Sequence, residues 1–445
     1  MANLLGQMRR GLVINQGPGC IIDFRTEEGA SISIIHPGLE FWEQEAPLVP
    51  NDPSRITEER LQKILIEKLR TRYRDQEAEI YINYFRLPPA CSKEDAENAN
   101  SQVLGGIRFP NYLKCPNCNT LKHADDWADV GPGKPEKVCP CLSKRENGKV
   151  SFVVPSRFLV SCPDGHISDF PWTTYLNYIS QYSGPCNHEV FKLTQSSDSG
   201  LGGLILSCND RDCNARGSMQ NIFSRDLWNE IDITCSGERP WLGLAGQEEC
   251  THKPKTILKG AANGYFPVYE SVISIPPVQD SFLERNGIKV HNMREQMTLD
   301  QAKDHIRNNA LINGFDADEA IKRYEAIDRY ASGGFREPLK EEFVRITDTD
   351  DEWDEEDSDY DDFIKENMPI PNELSSLIEH LVKIERLREV RALLSFKRLN
   401  QPTDSANSGI GRFADLSLTP KPWLPALEVF GEGVFFSLKS EIVEA

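Results

Sequence analysis

The sequence lacks several features that would assign a class of protein at once. It has no run of 18 apolar residues, and the start, MANLLGQMRR, has too short an apolar run for a secretory signal, with arginines after it instead of before it. It also contains no nucleotide-binding loop of the P-loop type and no G-x-G-x-x-G motif. We therefore expect a soluble cytoplasmic protein that does not contact a membrane and is not an ATPase.

Positive charge is also in short supply. The 445 residues include 50 Lys and Arg against 69 Asp and Glu, a formal net charge of -19. A surface that coats DNA along its whole extent is therefore excluded. Eleven of the acidic residues lie in the run 348–362, DTDDEWDEEDSDYDD, which predicts a self-repelling, mobile linker. The cysteine-rich region is close to neutral, which leaves room there for a local basic face.

The cysteines, in contrast, are concentrated in one region. Ten of the twelve lie between Cys115 and Cys250, and no secretory signal suggests an oxidising compartment. The first four form a C-x2-C pair and, twenty residues later, a C-x-C pair. Two such turns can each offer two thiolates to one tetrahedral zinc ion. The spacing predicts a zinc site of Cys115, Cys118, Cys139 and Cys141.

The remaining thiols and two histidines form two looser groups. Cys208, Cys213, Cys235 and Cys250 could share a second zinc, although ordinary core thiols would give the same pattern. A third set is Cys162, His166, Cys186 and His188, for which the alternative is histidines hydrogen-bonded near turns. The sequence thus predicts two zinc ions, or three if this set also binds metal.

Other residues have weaker functional interpretations. His166 could act as a general base oriented by Asp164 or Asp169, but no nucleophile can be placed beside it. The QGPG segment, residues 16–19, is best interpreted as a tight turn between strands. Candidates for contact with phosphate or with a base are Arg157, Arg239 and Trp241.

The pattern of apolar residues predicts a multi-domain α+β protein. An N-terminal α/β domain, 1–108, should contain the strands LVIN, CIIDF and SISII and a helix from Thr57 to about Tyr73. A cysteine-rich module of the zinc-ribbon or knuckle type, 109–260, should follow, with strands in VSFVVPSRFLVSC and GGLILSC.

The C-terminal part is predicted to be largely helical. Residues 261–346 should hold two helices, which begin at the capping pairs Thr298 with Gln301 and Asp316 with Glu319. An acidic linker spans 347–370. Residues 371–445 should form a long helix over roughly 373–398 and a β-hairpin in ALEVFGEGVFFSL. The helix is predicted from an apolar stripe of Leu374, Leu377, Leu381, Ile384, Leu387 and Leu394.

Several segments together resemble one known family. They occur in the order MRRGLVINQGPGCIIDF, the CPNC and CPC pairs, VPSRFLVSCPDGHISDFPW, CSGERPWLG, KGAANGYFPVYESVISIPP and ERLREVRALLSFKRL. Over most of residues 8–435 they look like the DrmB family, the helicase-partner subunits of the bacterial DISARM anti-phage system. The resemblance implies a protein without its own motor that pairs with the helicase DrmA and engages DNA through that complex.

This sequence departs from the family in two places. Family members continue past LPALEVFGEGVFF into a further domain, whereas this sequence stops at Ala445, so that domain's role cannot be assigned to these residues. The acidic run 348–362 looks like an insertion. The leading hypothesis is a zinc-stabilised, DNA-engaging scaffold of a helicase complex. The alternatives are a hydrolase or nuclease that uses a metal or His166, and an adaptor that contacts proteins only.

Overall fold

A computed structural model gives the fold of the chain. The residues that it describes are 11, 13–26, 28–45, 47, 54–72, 81–88, 105–142, 151–182, 184, 186–196, 200–275, 297–312, 317, 318, 320, 321, 324, 342, 343, 346, 347, 363–401 and 413–439. The acidic run 348–362 and the proposed capping pair Asp316 with Glu319 lie outside these residues. Among the helices described, none is both long and apolar enough to cross a membrane.

The chain divides into two compact units. The first, which we call unit 1, comprises residues 1–57, 73–270 and 392–427, and unit 2 comprises 58–72, 271–391 and 428–445. Every cysteine in the candidate metal groups belongs to unit 1. The division is discontinuous: residues 58–72 belong to unit 2, and the two longest described strands, Ile378–Lys397 and Trp423–Leu438, each contribute residues to both units.

Unit 1 is built mainly from short strands. Its described helices include α1 Leu39–Glu45, α3 Trp172–Ser180 and α4 Leu227–Glu230. Its strands are β1 Ile21–Arg25, β2 Ser31–Ile35, β3 Arg55–Ile56, β4 Tyr84–Arg86, β5 Ile107–Arg108, β6 Tyr112–Lys114, β7 Thr120–His123, β8 Ala128–Asp129, β9 Lys137–Cys139, β10 Ser151–Phe152, β11 Val154–Pro155, β12 Phe158–Ser161, β13 Ile167–Asp169, β14 Phe191–Gln195, β15 Leu204–Cys208, β16 Arg216–Ser218 and β17 Lys255–Leu258. The strands predicted in CIIDF, SISII, VSFVVPSRFLVSC and GGLILSC are confirmed.

Four sheets organise most of unit 1, and three of them lie in its cysteine-rich part. Their orders are β1-β2-β5, β10-β9-β8, β13-β12-β17 and β11-β6-β7-β14-β15-β16. One hydrophobic core packs on the last sheet and includes Trp172, Tyr175, Phe191 and Trp228, all at most 2% exposed. Helix α3 supplies the first two of these residues. Many of the short strands therefore pack around this aromatic core.

The remaining described strands include the three longest, and they differ from the prediction. They are β18 Phe266–Ile273, β19 Phe363–Asn367, β20 Ile378–Lys397 and β21 Trp423–Leu438, in a sheet ordered β18-β20-β21-β4-β3 with β19 beside β20. The predicted helix over 373–398 is therefore wrong. The buried side chains alternate, as Val382, Ile384, Val390 and Ala392 show, while Leu377 is exposed. This period of two and the β-branched residues favour a strand, and sheet pairing overrides the helical spacing of the leucines.

Two smaller predictions are also corrected. ALEVFGEGVFFSL is no hairpin, because β21 continues through Gly431 and Gly433. In unit 2 it stays paired along β20, where Arg388 binds Glu428 and the amide of Lys439 donates to the carbonyl of Leu377. The described residues of LVIN, including Val13 and Ile14, belong to a helix and its turn instead of a strand.

Two predicted helices are present in unit 2 and are confirmed. Helix α2, Glu59–Arg72, buries Leu61, Leu65 and Leu69. Helix α5, Leu299–Ile312, begins with the predicted capping box: the amide of Gln301 lies 3.3 Å from Thr298 Oγ1, and the amide of Thr298 donates to Gln301 Oε1 at 2.8 Å. The chain is thus mixed α and β. Among the described residues after Pro371 long strands predominate, and the predicted helical C-terminal part is not confirmed.

Candidate metal centres

Three groups of four side chains bring their ligand atoms together in unit 1. In each group all four ligand atoms lie within 4.8 Å of one another. We call them the four-cysteine cluster (Cys115, Cys118, Cys139, Cys141), the His166 cluster (Cys162, His166, Cys235, Cys250) and the His188 cluster (Cys186, His188, Cys208, Cys213). Each group could hold one metal ion.

The four-cysteine cluster contains the residues that the spacing predicted. Cys115 and Cys118 lie in the turn between β6 and β7, where Asn119 takes a positive φ of 60°. Cys139 ends β9, and Cys141 lies in the short 3₁₀ helix that follows. Two hairpin ends thus meet, with a small core that includes Leu113, Trp127 and Val153 packed around the sulfurs.

The His166 cluster forms where β12 meets two neighbouring strands. Cys162 and His166 flank the tight β12–β13 turn, in which the amide of Cys162 donates to the carbonyl of His166 at 3.2 Å. Strand β17 pairs with β12 so that Lys255 is opposite Ser161. Cys250, five residues before Lys255, therefore arrives beside Cys162. Cys235 joins through its amide, which donates to the carbonyl of His252 at 2.8 Å.

The His188 cluster forms at the edge of the six-stranded sheet. Strands β14 and β15 pair with Phe191 opposite Cys208. His188 and Cys186, just before β14, therefore lie beside the end of β15. The turn to β16 returns Cys213 to the same place, since the amide of Cys208 donates to the carbonyl of Ala215 at 3.0 Å.

These registers correct the predicted grouping. We expected Cys208 and Cys213 to join Cys235 and Cys250, and Cys162 and His166 to join Cys186 and His188. In the structure the pairs change partners: Cys235 and Cys250 join Cys162 and His166, and Cys208 and Cys213 join Cys186 and His188. The reason is that strand pairing brings the ligands together across the sheets, and spacing along the chain does not determine which strands pair.

The sulfur separations fit tetrahedral zinc. Two thiolates bound at about 2.3 Å with a tetrahedral angle lie about 3.8 Å apart. The Sγ–Sγ distances are 3.6 Å for Cys115–Cys141, 3.7 Å for Cys118–Cys139, 3.9 Å for Cys162–Cys250 and 3.6 Å for Cys186–Cys208. A disulfide would need about 2.05 Å. The residues present therefore suit a zinc ion in each cluster.

Backbone amides point at the same sulfurs. Seven of the cysteines accept a hydrogen bond from the amide two residues later, as Cys186, Cys208 and Cys235 do at 3.4 Å; the other four are Cys115, Cys139, Cys213 and Cys250. An N–H dipole directed at sulfur stabilises negative charge on it. The turns are therefore shaped for thiolates, the form of cysteine that binds metal.

The pKa values of the clustered thiols show why a cation would be needed. At Cys115, burial raises the pKa, but the amides of Cys118 and Asn117 and the Ser151 hydroxyl lower it to about 7. The neighbouring thiol of Cys235, followed by burial, raises the pKa of Cys162 to about 12. Burial raises the pKa of Cys208 to about 12. Packed thiols resist ionising together, and a bound divalent cation removes that penalty.

Both histidines present Nδ1 to their cluster. His166 Nδ1 lies 3.3 Å from Cys162 Sγ, and His188 Nδ1 lies 3.7 Å from Cys213 Sγ. The opposite ring nitrogens have different partners. Nε2 of His166 lies 2.7 Å from Glu248 Oε1, whereas Nε2 of His188 lies 2.9 Å from the amide oxygen of Asn177. Each acceptor fixes the ring orientation and leaves Nδ1 free to bind a metal.

The residues proposed for nucleic-acid contact or for general-base catalysis differ in their exposure and in their partners. Trp241 is fully buried and its Nε1 donates to the carbonyl of Asp415, so it offers no face for stacking on a base. Arg239 is mostly buried and forms ion pairs with Glu248 and Asp415. Arg157 is exposed. His166 is 1% exposed and pairs with Glu248, not with Asp164 or Asp169 as the general-base hypothesis required.

Sequence reasoning missed Glu248 and Asn177. Glu248 lies two residues before Cys250, and Asn177 lies within α3, eleven residues before His188. Neither position has a spacing that marks it as a partner of histidine. The sequence hint for Glu248 was its position two residues before Cys250, a predicted metal ligand.

Two comparisons place the chain among known proteins. Residues 8–266, more than half of the chain, match the family described as Domain of unknown function (DUF8724). The chain is also similar to the DISARM protein DrmB of Bacillus paralicheniformis, with 25% identity over 392 residues that cover 79% of this chain. It spans 61% of the length of that relative. The resemblance to DrmB expected from the motifs is thereby confirmed, and the chain belongs to the DUF8724 family.

Proposed function

We propose that this protein is a non-motor subunit of a DISARM-type antiviral defence complex, and that three structural zinc ions stabilise it as a scaffold. The role in defence is supported by the similarity to DrmB over 79% of the chain. The matched region includes the cysteine-rich part of unit 1. On this view the chain contributes shape and contacts to the complex, while another subunit supplies the motor.

The composition of the three clusters supports a structural role for the metals. Each cluster offers four Cys or His ligands, one set of four cysteines and two sets of three cysteines and one histidine. A structural zinc is closed by four protein ligands, whereas a catalytic zinc keeps one position for water or substrate. The four-ligand clusters are the observation that most favours a scaffold over a hydrolase or nuclease.

The zinc ions would supply stability that the strands cannot supply alone. Most strands between β5 and β17 have only two to five residues. Strands this short bury little apolar surface, and metal binding coupled to folding can add the missing free energy. The zinc ions would thus fix the ends of hairpins that would otherwise open.

We further propose that the chain pairs with a DrmA-type helicase and meets DNA through that complex. The net charge of -19 opposes DNA binding by the chain alone. Arg157 is the candidate for a phosphate contact that remains exposed. A basic helicase surface beside it would complete a binding channel. A complex that carries Arg157→Ala should then bind DNA more weakly and with a smaller dependence on salt.

Metal content tests the scaffold. The purified full chain should contain about three zinc ions, and the double variant Cys115→Ser/Cys118→Ser should contain about two. Cys20→Ser is the matched control, because Cys20 is a buried free cysteine outside the three clusters. An unchanged zinc content in the double variant would contradict the assignment.

Co-purification and phage plating test the role in defence. The full chain should retain the helicase subunit of its own defence system on an affinity resin. Cells that carry the complete system with the double variant should lose protection against phage, while cells with Cys20→Ser should keep it. Full protection by a variant that has lost its metal would refute a zinc-dependent scaffold.

A further inference from the structure

A series of contacts between charged side chains connects the His166 cluster to Asp415. Nε2 of His166 lies 2.7 Å from Oε1 of Glu248. The other carboxylate oxygen of Glu248 lies 3.2 Å from Nη2 of Arg239. Nη1 of Arg239 lies 3.8 Å from a carboxylate oxygen of Asp415. Arg239 is held in place by its Nε, which donates to the carbonyl of Gly246. The series thus connects a candidate metal ligand to a residue almost 250 positions later.

Further contacts hold the same two parts of unit 1 together. Nε1 of Trp241 donates to the carbonyl of Asp415 at 2.9 Å. Gly165, in the turn between Cys162 and His166, lies so close to Ala414 that a Cβ atom on Gly165 would stand 2.6 Å from the Ala414 Cβ. The buried Arg398 donates from Nε to the carbonyl of Gly165 at 2.9 Å. The turn that carries two metal ligands is therefore in direct contact with residues 398 and 414.

We propose that Glu248 and Arg239 are positioning residues for the metal of the His166 cluster, and that metal retention there depends on residues 413–416. The carboxylate of Glu248 accepts the Nε2 proton of His166 and so holds Nδ1 toward the ion. Arg239 orients that carboxylate, and Asp415 orients Arg239. The inference rests on the proposed zinc sites and adds a coupling between one site and a distant segment.

The other two clusters lack this coupling among the described residues. The four-cysteine cluster has no histidine, and His188 is oriented by the neutral amide of Asn177 in α3. The three sites therefore provide internal controls for one another. A perturbation of Asp415 should affect one metal ion of the three. Moreover, the coupling must act in both directions, so loss of that ion should loosen residues 413–416.

The first experiment measures zinc release from the full chain to a colorimetric chelator, with maleimide labelling to identify the cysteines that become exposed. In Glu248→Gln, the zinc affinity of the His166 cluster should fall by about 10- to 100-fold, the range seen for residues that hydrogen-bond to metal ligands. One of the three ions should therefore be released more readily than the others. The labelled cysteines should be Cys235 and Cys250. Cys235 lines a cavity of about 150 Å³, and Cys235 and Cys250 are partly exposed, whereas Cys162 is buried. Asp415→Asn should weaken the same ion by about fivefold, the low end of typical coupling.

Asn177→Ala is the matched control, because it removes the equivalent partner at the His188 cluster. It should instead expose Cys186, Cys208 and Cys213 and leave the His166 cluster unchanged. Release of all three ions together from Glu248→Gln would indicate general unfolding and would overturn the proposal. Unchanged release from both Glu248→Gln and Asp415→Asn would overturn it as well.

Hydrogen exchange provides the second, reciprocal measurement. Cys235→Ser should speed amide exchange in residues 413–416, and Cys118→Ser should not. Equal exchange in the two variants would refute the coupling even if the wild-type chain holds three zinc ions. If the wild-type chain holds no zinc at the His166 cluster, the proposed function itself fails. The two failures are therefore distinguishable.

Discussion

Gly237 offers a sharp test of how the His166 cluster is built. Its φ is +69°, and a Cβ atom placed on it would lie 1.6 Å from the carbonyl oxygen of Glu248, where real contacts are essentially never below 3.0 Å. The amide of Gly237 donates to Cys235 Sγ at 3.4 Å, and its carbonyl accepts from the amide of Glu248 at 3.1 Å. Gly237→Ala must move this backbone and break both hydrogen bonds.

The cost of Gly237→Ala follows from these contacts. The left-handed backbone costs an alanine roughly 1 to 2 kcal/mol, and the two lost hydrogen bonds add about 2 kcal/mol, for about 3 to 4 kcal/mol in all. The shift also displaces Glu248 from His166. We therefore expect the variant to lose about one zinc ion and to melt at a lower temperature. Zinc analysis and maleimide labelling of Cys235 measure the two effects.

Gly260→Ala is the matched control for backbone strain. Its φ is +80°, but no atom lies within 4 Å of the new Cβ. The control should therefore cost only roughly 1 to 2 kcal/mol and keep its metal. The reasoning is refuted if Gly237→Ala keeps its full zinc content and has the same melting temperature as Gly260→Ala. The contact between Gly237 and Glu248 would then not support the site.

Four other predictions extend to the rest of the chain. Burial lowers the pKa of His36 from 6.5 to about 4, so its folded form binds fewer protons than the unfolded form between those values; stability should fall by about 3 kcal/mol from pH 7 to pH 4. The acid-induced loss should be smaller in His36→Gln, and identical pH profiles for the two proteins would contradict this assignment. Thr298→Ala should destabilise helix α5 by about 1 kcal/mol and speed its amide exchange, unlike an alanine substitution at the exposed Asn308; equal exchange would count against the capping box. The isolated chain should not hydrolyse ATP with or without DNA, and DNA-stimulated turnover by the chain free of its helicase would refute this. Replacing the acidic side chains of 348–362 by amides should raise DNA affinity, most clearly at low salt, whereas shuffling the run should not; an unchanged affinity at low salt would refute an electrostatic brake.

The four-cysteine cluster shows what the sequence could predict. Its ligands come from two tight turns, and a C-x2-C or C-x-C turn places two thiolates together whatever the rest of the fold does. The capping box at Thr298 was predictable for the same reason, since it involves only neighbouring residues. The ligand set of the other clusters was also identified among the candidates. That these residues bind metal remains a prediction.

The exchanged partners show where sequence reasoning fails. Cys208 meets His188 because β14 pairs with β15, and Cys250 meets Cys162 because β17 pairs with β12. These pairings are set by packing over the whole unit, which spacing does not encode. The prediction of a helix where the structure has the long strand β20 was wrong for a related reason. Its leucines also fit a helical stripe, and only its neighbours in the sheet reveal that Val382 and Ile384 form the buried face.

The three clusters differ in the groups that surround their ligands, and this difference has a consequence for the scaffold. A carboxylate that accepts a proton from a metal-bound histidine makes the ring a stronger ligand than a neutral amide does. The His166 cluster has Glu248 in this position, and the His188 cluster has Asn177. Zinc should therefore leave the His188 cluster before the His166 cluster when metal is scarce. Arg398 and Ala414 contact Gly165, in the turn between Cys162 and His166, so the site expected to have the stronger histidine ligand is also the one in contact with these later residues of unit 1.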